Sequence, residues 1–209
     1  MKIKTIVTGM LYTNTYVLTD TETGISALVD PGDWSEELEN ACNEVGTENI
    51  KYILLTHGHF DHIIGLDMAK EKTGAEIAIS EIDAPMLQNT VQNASKLIGA
   101  RIICKSKPDM LLNDGDVIEL GSLKIDVMLT PGHTMGSLCF LCDNMLISGD
   151  TMFNCGNGRT DLYGGDDHDL MMSFRRLAAL PDDCNVYPGH DIPTTIGFER
   201  MHNSLMRMR

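Results

Sequence analysis

Apolar and polar residues alternate through KIKTIVTG and YTNTYVLTD near the start of the chain. This period of two predicts two strands that open an antiparallel sheet. GISALVDPGD predicts a third strand, stopped by Pro31 and Gly32. Over residues 34–46 the spacing becomes helical, with Trp34, Leu38, Ala41, Cys42 and Val45 recurring along one face and Gly46 as a C-cap. KYILLT, residues 51–56, is an almost continuous apolar run and predicts a strand buried on both faces. DHIIGLDMAKEKTG then predicts a helix stopped by Gly74, followed by a strand at EIAIS and a helix over residues 81–89. Residues 90–112 carry neither period.

The second half repeats the theme. DVIELG and LKIDVMLT predict strands, SLCFLCD and NMLISGD a hairpin, and residues 168–180 a helix. CNVYP predicts a last strand and residues 195–207 a terminal helix. No Ser/Gly/Pro-rich linker separates the halves, so residues 1–209 are expected to form one domain. The order suits an α/β chain with two sheets face to face and helices outside both, although other α/β layerings fit it too.

Composition adds exclusions. The net charge of −14 leaves no basic footprint for nucleic acid and no attraction to an anionic membrane surface. Polar residues interrupt the first apolar run before a signal-peptide core is complete, and no stretch approaches the ~20 apolar residues that span a bilayer. A cytoplasmic protein with a small-molecule substrate is expected. The six cysteines are then reduced thiols. Cys139 and Cys142 lie three apart on a predicted strand and should face opposite sides, as buried strand cysteines. The 14 methionines read as core gap-fillers, with a hydrophobic substrate channel as the alternative.

The candidate chemistry lies at strand ends. THGHFDH, residues 56–62, follows KYILLT and carries His57, His59, Asp61 and His62. His133 follows LKIDVMLT, Asp150 follows NMLISG, and His190 follows NVYP. Strands aligned with the same end up would bring these loops to one edge. Imidazole and carboxylate suit zinc, iron or manganese, and the lack of thiolates argues against a structural cysteine site. His57 and His59, two apart in an extended loop, point the same way and suit one ion. Asp61 and His62, at the turn into a helix, suit a second. Seven ligands exceed one tetrahedral ion and fit two ions sharing a carboxylate, ~3.5–4 Å apart in such sites. His168 and His202, on predicted helices, read as surface residues.

THGHFDH, PGHT, SGDT and PGHD, in this order, resemble the metallo-β-lactamase superfamily over almost the whole chain, beginning at TNTYVLTD and ALVDPGD. GRTDLYGGD and YPGHDIPTTIGFERMHN are most similar to short bacterial glyoxalase II-like hydrolases. The resemblance implies an αββα sandwich with metals at one edge of the sheets. It implies two divalent ions, zinc first with iron or manganese as alternatives. One ion takes His57, His59 and His133, the other takes Asp61, His62 and His190, and Asp150 bridges them. It further implies thioester hydrolysis by a metal-bridging hydroxide, with Asp61 as ligand and catalytic residue. Full-length glyoxalase II adds a C-terminal helical domain that contributes to glutathione binding, whereas 19 residues follow His190 here. The resemblance therefore does not carry glutathione over as the thiol.

Arg159, after two nearby glycines, is a candidate for an anionic substrate group, with an ion pair to Asp161 or Asp166 as the competing reading. Tyr187 and Tyr163 are candidate wall residues. Cys155 departs from the family pattern and reads as an inert loop thiol, with metal ligation as the alternative. Persulfide dioxygenases also resemble the chain at GRTD and YPGHD and imply a second reading, one iron on His57, His133 and Asp150. Lactone hydrolysis is a third.

Overall fold

The computed structural model describes residues 1–207. Met208 and Arg209 lie outside the described residues. The first sheet is built in chain order from β1 (Lys2–Thr8), β2 (Thr13–Thr19), β3 (Ser26–Val29), β4 (Ile50–Leu54), β5 (Glu76–Ser80) and β6 (Met110–Leu112). β1, β2 and β3 pair antiparallel, and β3 through β6 pair parallel. The second sheet holds β7 (Val117–Leu120), β8 (Leu123–Leu129), β9 (Leu138–Cys142), β10 (Met145–Gly149), β11 (Asn185–Pro188) and β12 (Thr194–Thr195). Here every pair is antiparallel except β10 with β11.

Strand periodicity sorts side chains into three apolar layers. Along β2, Tyr16 and Leu18 point between the sheets while Val17 points out beneath the helices. β4 divides likewise, with Leu54 inward and Ile53 outward, which is why KYILLT reads as unbroken apolar sequence. On the second sheet Phe140 and Ile147 face inward, whereas Cys139, Leu146 and Val186 pack outward against a third cluster. The outer layers are α1 (Glu36–Val45) and α3 (Leu66–Thr73) on one side, and α4 (Asp167–Leu177) and α5 (Ile196–His202) on the other. Burying one such side chain contributes roughly 1.5–3 kcal/mol, and the three layers together define the αββα sandwich.

α1 starts where Ser35 Oγ accepts from Leu38 N at 3.2 Å, and three glutamates in its first turn complement the helix dipole. Cys139 and Cys142 do face opposite layers and are unbridged; burial pushes the Cys139 thiol up to about 11. Among the described residues no helix is long and apolar enough to cross a membrane.

Three predicted helices differ. The one after THGHFDH splits into α2 (Phe60–Ile63) and α3, because Gly65 packs onto the 31–33 turn. Its N–H donates to Pro31 O at 2.8 Å, and a Cβ there would lie 2.7 Å from the Asp33 backbone. The helix expected over 81–89 is a short 3-10 turn, Ala84–Gln88, with Pro85 at its start. The terminal helix breaks at Asn203 into α5 and α6 (Ser204–Arg207), since the Asn203 side chain turns back to Gly156 O and Glu199. The unassigned stretch contains a 3-10 turn, Ser95–Ile98, and β6.

Candidate metal centre

The sheet topology explains why the histidines meet. β8 and β10 both pair antiparallel with β9, so they run the same way, and β11 is parallel to β10. Their C-terminal ends, followed by His133, Asp150 and His190, therefore share one edge of the second sheet. β3 and β4 are parallel, and their ends carry Asp30 and the THGHFDH loop at the edge of the first sheet. The two edges face each other across the sandwich, so the strands align as expected but in two sheets.

All seven sequence-predicted residues come together. His57, His59 and His133 form one group of converging ligand atoms, and Asp61, His62 and His190 form another. Asp150 lies between them. Its Oδ1 is 3.3 Å from His62 Nε2, and its Oδ2 is 3.5 Å from both His133 Nε2 and His190 Nε2. Asp61 Oδ2 is 3.3 Å from His190 Nε2 and 3.6 Å from His62 Nε2. His59 Nδ1 approaches His133 Nε2 to 2.8 Å. The Nε2 atoms of His57, His59 and His62 and Oδ1 of Asp150 are buried without a hydrogen-bond partner. Such orphaned atoms are rare and costly. Their convergence, with a borderline-to-hard N/O donor set, fits divalent cations.

The outer hydrogen bonds fix which ring nitrogen faces inward. His133 Nδ1 donates to Arg159 O at 2.7 Å, and His190 Nδ1 to Leu11 O at 3.1 Å; a carbonyl can only accept. Both rings therefore offer an Nε2 lone pair to the centre. His62 Nδ1 lies 2.9 Å from the buried Asp30 carboxylate. Asp30 also accepts from Thr56 N at 2.8 Å and Thr56 Oγ1 at 2.6 Å. With its proton committed to Asp30, the Thr56 hydroxyl accepts from His57 Nδ1 at 3.1 Å, which turns His57 Nε2 inward as well. One carboxylate thus orients an imidazole in each group, the arrangement by which outer partners fix the tautomers of metal-ligating histidines.

The electrostatics favour positive charge at the centre. Burial holds His57 well below the usual imidazole range and brings His59 down to about 3, reinforced by neighbouring imidazoles. Burial also opposes charge on His62, but Asp150, Asp61 and Asp30 outweigh it and hold its pKa well above the ordinary value. For Asp150, burial is outweighed by His62 and the other imidazoles, and its carboxyl is held well below the ordinary range.

Glycines let the backbone pass close. A Cβ on Gly189 would collide with Asp150 Oδ1 and lie 2.8 Å from His62 Cε1. Gly149 adopts φ +48, and a Cβ there would stand 2.5 Å from Thr56 Oγ1. Sequence pattern gives no role to Asp30, Thr56 or Asp83. Asp30 obeys the same rule as the ligands, a polar residue directly after a strand. Asp83 carries no such signal. Its buried carboxylate receives Gly58 N at 3.2 Å, Thr134 Oγ1 at 2.7 Å and Gly136 N at 2.9 Å, tying the two histidine loops together.

A cavity of about 500 Å³ opens onto the centre, lined by His59, Asp61, His133, Asp150 and His190 and otherwise mostly by apolar side chains. Arg159 reaches its lining but is engaged fork to fork by Asp161, at 2.6 and 2.7 Å. Asp166 instead caps α4 by accepting from Asp169 N. Tyr187 does not line this cavity. It alternates with Val186, points between the sheets and meets Tyr16 edge-on, with ring centroids 5.9 Å apart. Tyr163 lines a separate, smaller pocket with Met135 and Ile82. Cys155 is exposed, and its backbone N–H is held by Glu199. His168 and His202 are exposed, outside the cluster.

A four-layer αββα sandwich with a histidine and aspartate cluster where its two sheet edges meet defines a class of metal-dependent enzyme. The profile of the metallo-beta-lactamase superfamily matches residues 8–190, and the chain belongs to that superfamily. It is 36% identical to the protein ML0493 of Mycobacterium leprae, covering 95% of each chain. It is 32% identical to the hydroxyacylglutathione hydrolase GloC of Haemophilus influenzae, covering 88% of each. Among solved structures, the BLEG-1 B3 metallo-beta-lactamase superposes with a TM-score of 0.89 at 32% identity, over 98% of this chain and 99% of that one. TTHA1623 in a di-iron-bound form gives 0.85 at 31%, over 96% and 98%. ETHE1 from Myxococcus xanthus gives 0.81 at 28%, over 100% and 86%.

Proposed function

We propose that the chain is a dinuclear metallohydrolase of thioesters. The observation that carries this reading is the pair of three-residue groups with Asp150 between them and the buried, unpartnered Nε2 atoms of His57, His59 and His62 within them. His57, His59 and His133 would hold one ion, Asp61, His62 and His190 the other, and Asp150 would touch both. Zinc is the metal we propose, with iron and manganese as the alternatives that the same donors accept. Bound there, the ions would supply Lewis acidity, lowering the pKa of water towards neutrality and polarising a carbonyl oxygen.

The chain's own groups do the rest. Asp61, on the cavity wall, would orient the attacking hydroxide; Thr13 Oγ1, 3.4 Å from Asp61 Oδ2, and His190 hold that carboxylate in place. A C–O bond forms at the thioester carbonyl, the C–S bond breaks, and the thiolate leaves without needing a strong general acid. Leu11, Phe153 and Leu162 wall the cavity against bulk water. The likeness to GloC supports this reading.

The likeness to ETHE1 favours a second reading, an oxygen-dependent persulfide oxidation at one iron on His57, His133 and Asp150. The test is elemental analysis of the purified protein with a panel of thioesters, lactones and glutathione persulfide. Two ions per chain with thioester turnover supports the first reading. One iron with oxygen consumption on the persulfide overturns it.

A further inference from the structure

We infer that the cavity selects an apolar acyl chain, so that the chain's preferred substrates are fatty-acyl-type thioesters of a small thiol rather than hydroxyacyl esters of glutathione. The inference rests on the thioester reading above and names its substrate class.

Three observations carry it. The first is the wall. Beyond the five ligand-site residues and Arg159, every side chain lining the cavity is apolar, with Leu11, Ala94, Leu97, Ile98, Phe153 and Leu162 forming most of it. Among the described residues no Ser, Thr, Asn or Gln lines it, so away from the ligand cluster and Arg159 a hydroxyacyl hydroxyl would meet only apolar side chains, which costs binding.

The second is charge. Among the described residues Arg159 is the one Lys or Arg in the wall, and it is already paired bidentately with Asp161, so a glutathione carboxylate would have to displace an intramolecular partner. The chain as a whole carries −14, which disfavours an anionic thiol.

The third is the rim. Leu97 is 73% exposed, Ile98 48% and Leu11 47%, and they come from two separate segments, the Ser95–Ile98 turn and the β1–β2 turn. Apolar side chains left in water at the mouth of an apolar cavity are placed to cover a chain that enters it. The volume of about 500 Å³ lies in the roughly 300–1,000 Å³ range of small-molecule sites.

The test uses the metal-loaded protein and N-acetylcysteamine thioesters of acetate, butanoate, hexanoate and octanoate, with S-lactoylglutathione beside them. Each added methylene should raise kcat/KM about fourfold until the cavity fills, and the octanoyl ester should exceed S-lactoylglutathione. The double variant Leu97→Ser/Ile98→Ser, in which both side chains are already exposed, should flatten that dependence. A flat or falling series, or S-lactoylglutathione as the best substrate, overturns the inference. If no thioester is turned over, the thioester reading fails by itself. Calorimetric titration with alkyl trifluoromethyl ketones of the same chain lengths then decides the cavity: affinity rising with length sustains an apolar-chain site, and affinity independent of length overturns it.

Discussion

Asp30 receives the Nδ1 proton of His62 at 2.9 Å and, through Thr56, also sets the ring of His57. It does so with φ +47, a left-handed conformation uncommon for a residue other than glycine. A buried acceptor that serves two ligand groups at once should be hard to replace. Asp30→Asn places an amide donor against groups that are themselves donors. We expect metal affinity to fall by about 10–100-fold, measured by competition with a chromophoric chelator, and stability to fall by roughly 2 kcal/mol. Unchanged affinity would remove Asp30 from the site.

His59→Ala removes a ligand candidate of the first group without touching the second. Metal content should drop towards one ion per chain, and kcat/KM should fall by more than about 100-fold. Two ions and full turnover in this variant would sink the assignment.

Gly189→Ala tests the close approach of backbone to ligands. The new methyl meets Asp150 Oδ1 and the His62 ring. Overpacking of this kind costs about 1–3 kcal/mol, and here the displaced groups are the proposed metal ligands. The variant should therefore lose metal affinity more than it loses thermal stability, as read from chelator titration beside a melting curve.

In the metal-free protein two histidine populations should pull stability in opposite directions with pH. His59 has a folded pKa of about 3 against roughly 6.5 unfolded, so protonation favours the unfolded chain. Its contribution is present above pH ~6.5 and is lost as pH falls towards 3. His62 is raised, so its contribution is full below pH ~6.5 and is lost as pH rises through its folded value. His59→Gln should make the acid limb of the denaturation profile shallower, His57 and Asp150 keeping the remainder, and leave the alkaline limb in place.

Metal binding should expel the proton that balances Asp150 and Asp61 on His62. Titration at pH 7 in buffers of different ionisation enthalpy should then report proton release. An ion at 1,000 times its Kd should also add about 4 kcal/mol of stability, visible as a higher Tm that a chelator reverses. A chelator-insensitive Tm with no proton release would count against a metal in this cluster.

Much of this was legible in the chain itself, for identifiable reasons. Strands such as β2 and β4 alternate between two different apolar layers, so their pattern survives as period two or as an unbroken run. The ligand candidates could be found because each follows a strand, and parallel strands end at one edge. Side-chain direction was harder. Tyr187 sits at a strand end as His190 nearly does, but only its alternation with the outward Val186 turns it into the inter-sheet core. The 81–89 helix failed because Pro85 and the tertiary demand on Asp83 override helical spacing. Arg159 could pair with Asp161 or Asp166 by sequence alone, and the capping of α4 by Asp166 decides between them. The apolar wall was illegible since Leu97 and Phe153 lie in segments without periodicity.

The first sheet brings THGHFDH to the centre and the second brings His133, Asp150 and His190, so neither half of the chain holds a complete ligand set. An ion seated there would act as a rivet between the two plates. Loading would then report that the plates have closed in register. Two fragments divided between the sheets would each offer an incomplete ligand set and would regain full loading only on reassembly, which makes complete metal uptake a readout of docking between the halves.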